Sequence, residues 1–132
     1  MKTRITNIVF IALILLAVFS AIYFYPSLPD QMASHWGIDG NVNGYTTKFL
    51  GAYLLPIVLT VLFLFYYFIP KIDPLKSNIE SFRRYYNSFW IFIAVFLAYI
   101  NALSLAWNLG YRFDFTAFMI PALSVVQTKK RI

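Results

Sequence analysis

The sequence predicts an all-α integral membrane helical bundle, with three full-length spans, a short fourth, and an extracytoplasmic loop carrying a small helix. Three observations carry that reading. Apolar residues make up 61% of the 132-residue chain and charged residues only 12%, about half the charged share of an ordinary soluble domain. Charge-free windows cover residues 5–29, 49–70 and 85–111, each longer than the ~20 residues of helix that cross a ~30 Å hydrocarbon core. Lys2, Arg4, Lys71, Lys76, Arg83, Arg84, Lys129, Lys130 and Arg131 fall on one side of the resulting topology, against Lys48 and Arg112 on the other. That bias places both termini in the cytoplasm of a multi-pass plasma-membrane protein.

The first span covers about 5–25. A basic tetrapeptide precedes it and Val18-Phe19-Ser20 is a passable cleavage site, but the apolar run continues through Tyr25, past the ~7–15 residues of a signal core, so the segment reads as retained. Tyr23, Phe24 and Tyr25 form one interfacial belt, and Tyr66, Tyr67, Tyr85, Tyr86 and Trp90 the other.

The extracytoplasmic loop, 26–48, holds the only histidine and two of the five acids. Ser27 and Asp30 around Pro29 resemble a capping box, which predicts a short helix over 28–36 stopped by Gly37, with His35 and Trp36 at its end. A histidine in that position binds a carbonyl or makes a pH-responsive contact. Residues 39–44, Asp-Gly-Asn-Val-Asn-Gly, match the first half of an EF-hand loop, but its twelfth position is Leu50 rather than a bidentate Glu, so a tight Asn/Gly turn accounts for the same letters. One His and no Cys leave zinc without ligands. Polar groups gathered at the mouth of a bundle are where recognition concentrates, so His35, Trp36, Asp39, Asn41, Asn43, Tyr45 and Lys48 are the candidate partner-binding residues.

The second span covers about 49–69, and Pro56 within it lacks the N–H that would bond Ala52, which predicts a kink. The link at 70–87 starts a helix at Asp73-Pro74 with Leu75, Ile79, Phe82 and Tyr86 on one face. Its other face presents Lys76, Arg83 and Arg84 to the inner leaflet or to a soluble partner. In the third span, about 88–109, Ala94, Ala98, Asn101, Ala102, Ser104 and Asn108 share one side, opposite Phe92, Phe96, Tyr99, Ile100, Leu103 and Trp107. Small residues with Asn glue read as a helix-packing face; Asn101 or Asn108 on a ligand or ion path is the sharper alternative. The fourth span, about 114–128, has only enough uncharged positions for roughly 21 Å of helix.

Enzymatic chemistry is not expected. His35 is the only conventional base, and no serine elbow, glycine-rich phosphate loop or paired-carboxylate motif accompanies it. No cofactor or metal is expected either. The net charge of +6 sits where anionic headgroups attract it, so the partner it implies is the lipid bilayer and not nucleic acid.

Leu28-Pro29, His35-Trp36, Gly40, Gly44-Tyr45 and Lys48, set between two spans, resemble the N-terminal domain of unknown function of SdpI-type membrane immunity proteins. The stretch from Asp73 to Glu80 with Phe82, and then Asn108-Leu109-Gly110-Tyr111, resembles that family's inner link and the end of its third span. The resemblance covers roughly residues 10 to 125. It implies a prokaryotic multi-pass membrane protein that protects its producer against a secreted toxic peptide and, in signal transduction, sequesters a cytoplasmic repressor at the membrane. On that implication the outer loop meets the peptide and the basic inner helix meets the repressor. SdpI-type proteins continue through further spans with a Gly-Ile-Arg-Thr-Pro-Trp stretch that this sequence lacks, so the chain resembles a family member truncated at its C-terminus. Two other classes stand beside this one: a small scaffold subunit that needs partner helices or oligomerises, and a transporter or channel component using the Asn face.

Overall fold

A computed structural model describes residues 2–72 and 76–119. The order of elements is α1 (Thr3–Phe24), a 3₁₀ turn (Tyr25–Ser27), β1 (Gln31–Trp36), β2 (Val42–Thr47), α2 (Lys48–Ile72), α3 (Lys76–Ser81), α4 (Arg83–Asn108) and α5 (Phe115–Met119). Three of these helices, α1, α2 and α4, are long and apolar enough to cross a membrane. At ~1.5 Å per residue each exceeds the ~30 Å hydrocarbon thickness. The chain is a helical membrane protein, and the three long helices pack pairwise into one bundle.

Among the described residues the bundle has two cores. Nearer the end that carries Thr3 and Arg83, Phe10, Ala17, Leu59, Tyr66 and Ala94 form one buried cluster. At the opposite end Ala21, Ala52 and Leu105 close around Leu28 and Met32 from the loop. Outward positions such as Leu16, Phe19, Phe65 and Phe92 are exposed apolar side chains, which is the arrangement a lipid solvent allows.

The loop corrects the sequence reading. No helix forms over 28–36; the chain makes an antiparallel hairpin instead, pairing Gln31 with Thr47, Met32 with Thr46 and Ala33 with Tyr45. Pro29 biases Leu28 towards the extended conformation it adopts. Val42, Tyr45, Thr46 and Thr47 supply a β-prone partner strand whose burial alternates. The register slips on either side of His35, which pairs with Gly44. These paired bulges bend the hairpin over the end of the bundle. The Asn/Gly turn is present: Gly37 and Asn41 close it, and Gly40 has φ +86°. A Cβ at Gly40 would fall 2.5 Å from Asp114 Oδ1, so conformation and space both call for glycine. Gly51 serves a different purpose, because a Cβ there would meet Met32, whose side chain seats the hairpin against α2.

The link between α2 and α4 also departs from expectation. α2 runs through Pro56 and continues past Pro70 to Ile72. Pro70 has no N–H for the Tyr66 carbonyl one turn back; the Tyr86 hydroxyl donates to that carbonyl at 2.8 Å instead. This bond lets α2 extend beyond its expected end. The predicted cap at Asp73-Pro74 and Leu75 lies outside the described residues. Ile79 is buried as the apolar face requires, but Phe82 is exposed because the backbone breaks there between α3 and α4. Of the predicted fourth span, only α5 falls within the described residues, and residues 120–128 lie outside them.

Candidate functional site

A cavity of about 690 Å³ lies beneath the hairpin. β1 and the turn supply one wall from Ala33 to Ile38, α2 supplies Leu50, Gly51, Leu54 and Leu55, α4 supplies Ile100 and Ser104, and α5 supplies Phe115, Thr116 and Met119. Its walls are predominantly apolar, with Ser34, His35, Thr46, Ser104 and Thr116 among the polar contributors. Size and composition match ordinary small-ligand sites, which run ~300–1,000 Å³ with a few placed polar groups.

Asn108 holds the roof in place. Its Oδ1 accepts from the Ala33 N–H at 2.8 Å, and its Nδ2 donates to the Ala33 carbonyl at 3.1 Å. Both residues are buried, at 1% and 6% exposure. The outer edge of β1 therefore pairs with a side-chain amide as if with a one-residue third strand, satisfying backbone groups that would otherwise be orphaned. Nδ2 also donates to the Ser104 carbonyl, which fixes the amide against its own helix. Asn108 thus ties the edge of β1 to the end of α4.

α5 forms the second tie. Asp114 Oδ1 accepts from the Ala117 N–H, capping the short helix, and the Thr116 hydroxyl donates to the Gly37 carbonyl at 2.6 Å. Trp36 stacks on Phe115 with ring centroids 3.7 Å apart and an interplanar angle of 6°, and meets Trp107 edge-on at 5.6 Å. Arg112 lies over the other tryptophan ring, 3.8 Å from the Trp107 centroid. Trp36 Nε1 is buried and has no hydrogen-bond partner among the described residues.

Of the residues singled out in the loop, the structure brings only His35 and Trp36 to the cavity. Asp39 accepts from the Asn41 backbone and side chain at 3.1 Å each, so this pair stabilises the turn. Asn43 and Tyr45 are exposed on β2. Lys48 sits 4.6 Å from the Tyr25 ring centroid, at the start of α2. In the packing set Ala94 and Asn101 are buried and Ala98 and Ser104 half-buried, whereas Ala102 is exposed and Leu105 takes its inward place. Asn101 Oδ1 is buried without a partner among the described residues.

Sequence reasoning missed Leu54, Leu55, Ile100, Phe115 and Met119. The available signal was the four-residue spacing of Leu50 with Leu54 and of Phe115 with Met119, which puts each pair on one helix face.

At the other end, Arg83 turns into the bundle. Its Nε donates to Asn87 Oδ1 at 3.0 Å, and its Nη1 pairs with Glu80 at 3.1 Å. Tyr66 donates to the same Asn87 oxygen, whose Nδ2 donates to Thr3. Arg84 is exposed beside Tyr85. The side chain of Lys76 lies outside what the structure describes.

Fold and site together define a class: a helical membrane protein whose two-stranded hairpin roofs an apolar cavity at one end of the bundle. Residues 11–60, which span most of α1, the hairpin and the first half of α2, match a family described as "Domain of unknown function (DUF1648)", a domain found in membrane proteins. No curated protein and no solved structure matches the chain. Asn108, Thr116 and Phe115, which hold the hairpin, lie outside the matched segment.

Proposed function

We propose that the chain is a membrane-embedded binding protein that takes the apolar side of an extracytoplasmic peptide into the cavity under its hairpin. The observation that carries the reading is the cavity itself, large and apolar, with an exposed histidine on its wall. The resemblance of the loop residues to SdpI-type proteins supports one form of this function, immunity against a secreted toxic peptide, and the positive-inside bias supports placing both termini in the cytoplasm. Burying apolar peptide surface contributes about 25 cal/mol per Å².

The test is a protection assay. Bacterial cells expressing the full chain are challenged with the toxic peptide of an SdpI-type system. Survival should rise with the wild-type chain and with Asp39→Ala or Asn43→Ala, which are not among the cavity-lining residues, and should fall with Leu54→Trp, which narrows the cavity. Equal protection by Leu54→Trp at equal membrane abundance would remove the cavity from the mechanism.

A further inference from the structure

A second, smaller cavity opens at the far end of the bundle, and its chemistry is different. About 330 Å³ in volume, it is lined by Thr3 and Asn7 of α1, Tyr67, Pro70 and Lys71 of α2, Glu80 of α3 and Arg83 of α4. These positions are the ends of the three spans, so the cavity lies at headgroup depth and not in the hydrocarbon core. Among the described residues two cations and one carboxylate line it, for a net charge of plus one. Lys71 Nζ donates one bond, to the Tyr67 hydroxyl at 3.2 Å, and rests 4.4 Å from that ring's centroid; an ammonium has three donors to give. The Arg83 guanidinium uses two of its five N–H groups on Asn87 and Glu80. Asn7 also lines the site, and its Oδ1 is an amide oxygen buried with no hydrogen-bond partner among the described residues. The site thus offers cationic donors to a single negative charge, and a waiting acceptor to a hydroxyl beside it.

We propose that this cavity is a binding site for a monoanionic phosphodiester bearing a hydroxylated headgroup, supplied by a phosphatidylglycerol-type lipid of the leaflet at that end. The phosphate binds Lys71 and Arg83, and a headgroup hydroxyl donates to Asn7 Oδ1. Basic pockets between spans hold anionic headgroups in this way, and the proposal is independent of the outer cavity.

The experiment uses the full chain in a neutral maltoside, titrated with dioctanoyl phosphatidylglycerol, phosphatidylmethanol and phosphatidylcholine and with water-soluble glycerophosphoglycerol, read by thermal shift and native mass spectrometry. Phosphatidylglycerol should bind about fivefold or more tightly than phosphatidylcholine, the worth of one net charge at the interface. Lys71→Gln should abolish that preference. Arg84→Gln, an equal change of charge outside the cavity, should keep it. Phosphatidylmethanol, which lacks the hydroxyl, should bind about twofold to tenfold more weakly than phosphatidylglycerol, and Asn7→Leu should make the two equal. Equal loss in Arg84→Gln would reduce the effect to general surface charge and overturn the site. Binding of glycerophosphoglycerol as tight as that of the lipid would overturn the lipid source in favour of a soluble phosphodiester. An Asn7→Leu variant that still prefers the hydroxylated headgroup would overturn the role of Asn7.

Discussion

Replacing Asn108 by Leu keeps nearly the same volume at the end of α4 but removes both halves of its bond to Ala33. The Ala33 N–H and carbonyl, at 1% residue exposure, then have no replacement in the hairpin, because the other face of that strand already pairs with Tyr45. A buried backbone group left unsatisfied costs about 1–3 kcal/mol, and a made bond contributes about 1 kcal/mol net. Two such groups, partly relieved by water entering at the cavity mouth, give an expected loss of about 2–4 kcal/mol in hairpin docking. The local nature of the effect makes hydrogen exchange the right assay. Amide protection across 31–47 should fall about 30- to 1,000-fold in the variant, while amides in the middle of α1 and α2 keep theirs. Asn108→Asp, which retains an acceptor for the N–H, should fall between the two. Wild-type protection across 31–47 in Asn108→Leu would refute the claim that this amide stands in for a third strand.

Three further outcomes follow from the same geometry. Gly40→Ala should lower stability in detergent by about 1–3 kcal/mol, since alanine must hold φ +86° against Asp114, and a melting curve within error of wild type would contradict it. Tyr86→Phe should cost about 1–3 kcal/mol by orphaning the Tyr66 carbonyl opposite Pro70; the double variant Tyr86→Phe with Pro70→Ala, which restores the backbone donor, should recover most of the loss. A double-mutant cycle of Trp36→Ala and Phe115→Ala, read by thermal unfolding, should return a coupling of about 0.5–1.5 kcal/mol for the stacked pair, and zero coupling would mean that the stack does not tie α5 to the roof.

The spans were legible because lipid thickness converts directly into a count of uncharged residues, and Asp39 to Asn41 read as a turn because their own side chains build it. The hairpin was not legible. Over 31–36 the two buried residues, Met32 and Ala33, are adjacent, so the strand lacks the alternation that would have announced it, while Ser27, Pro29 and Asp30 imitate a helix start. What decides the matter is distant in sequence: β2 supplies one set of backbone partners and Asn108 the other. Asn108 was placed on an inward face correctly, but its spacing could not reveal that its partner is a strand edge and not another helix. Pro70 hid the true end of α2 for a similar reason, because the donor that replaces its missing N–H belongs to Tyr86 on α4. The cavity walls escaped notice because leucines at Leu54 and Leu55 look identical in sequence whether they face lipid or a void.

The central claim, that a peptide enters under the hairpin, is tested most directly by a photocrosslinking residue placed at Leu54 in the intact chain, in cells exposed to the toxic peptide. The account predicts a covalent chain–peptide adduct from position 54 and none from Leu16, which is exposed on the bundle exterior. Adducts of equal yield at both positions, or protection from the peptide with no adduct at position 54, would contradict it.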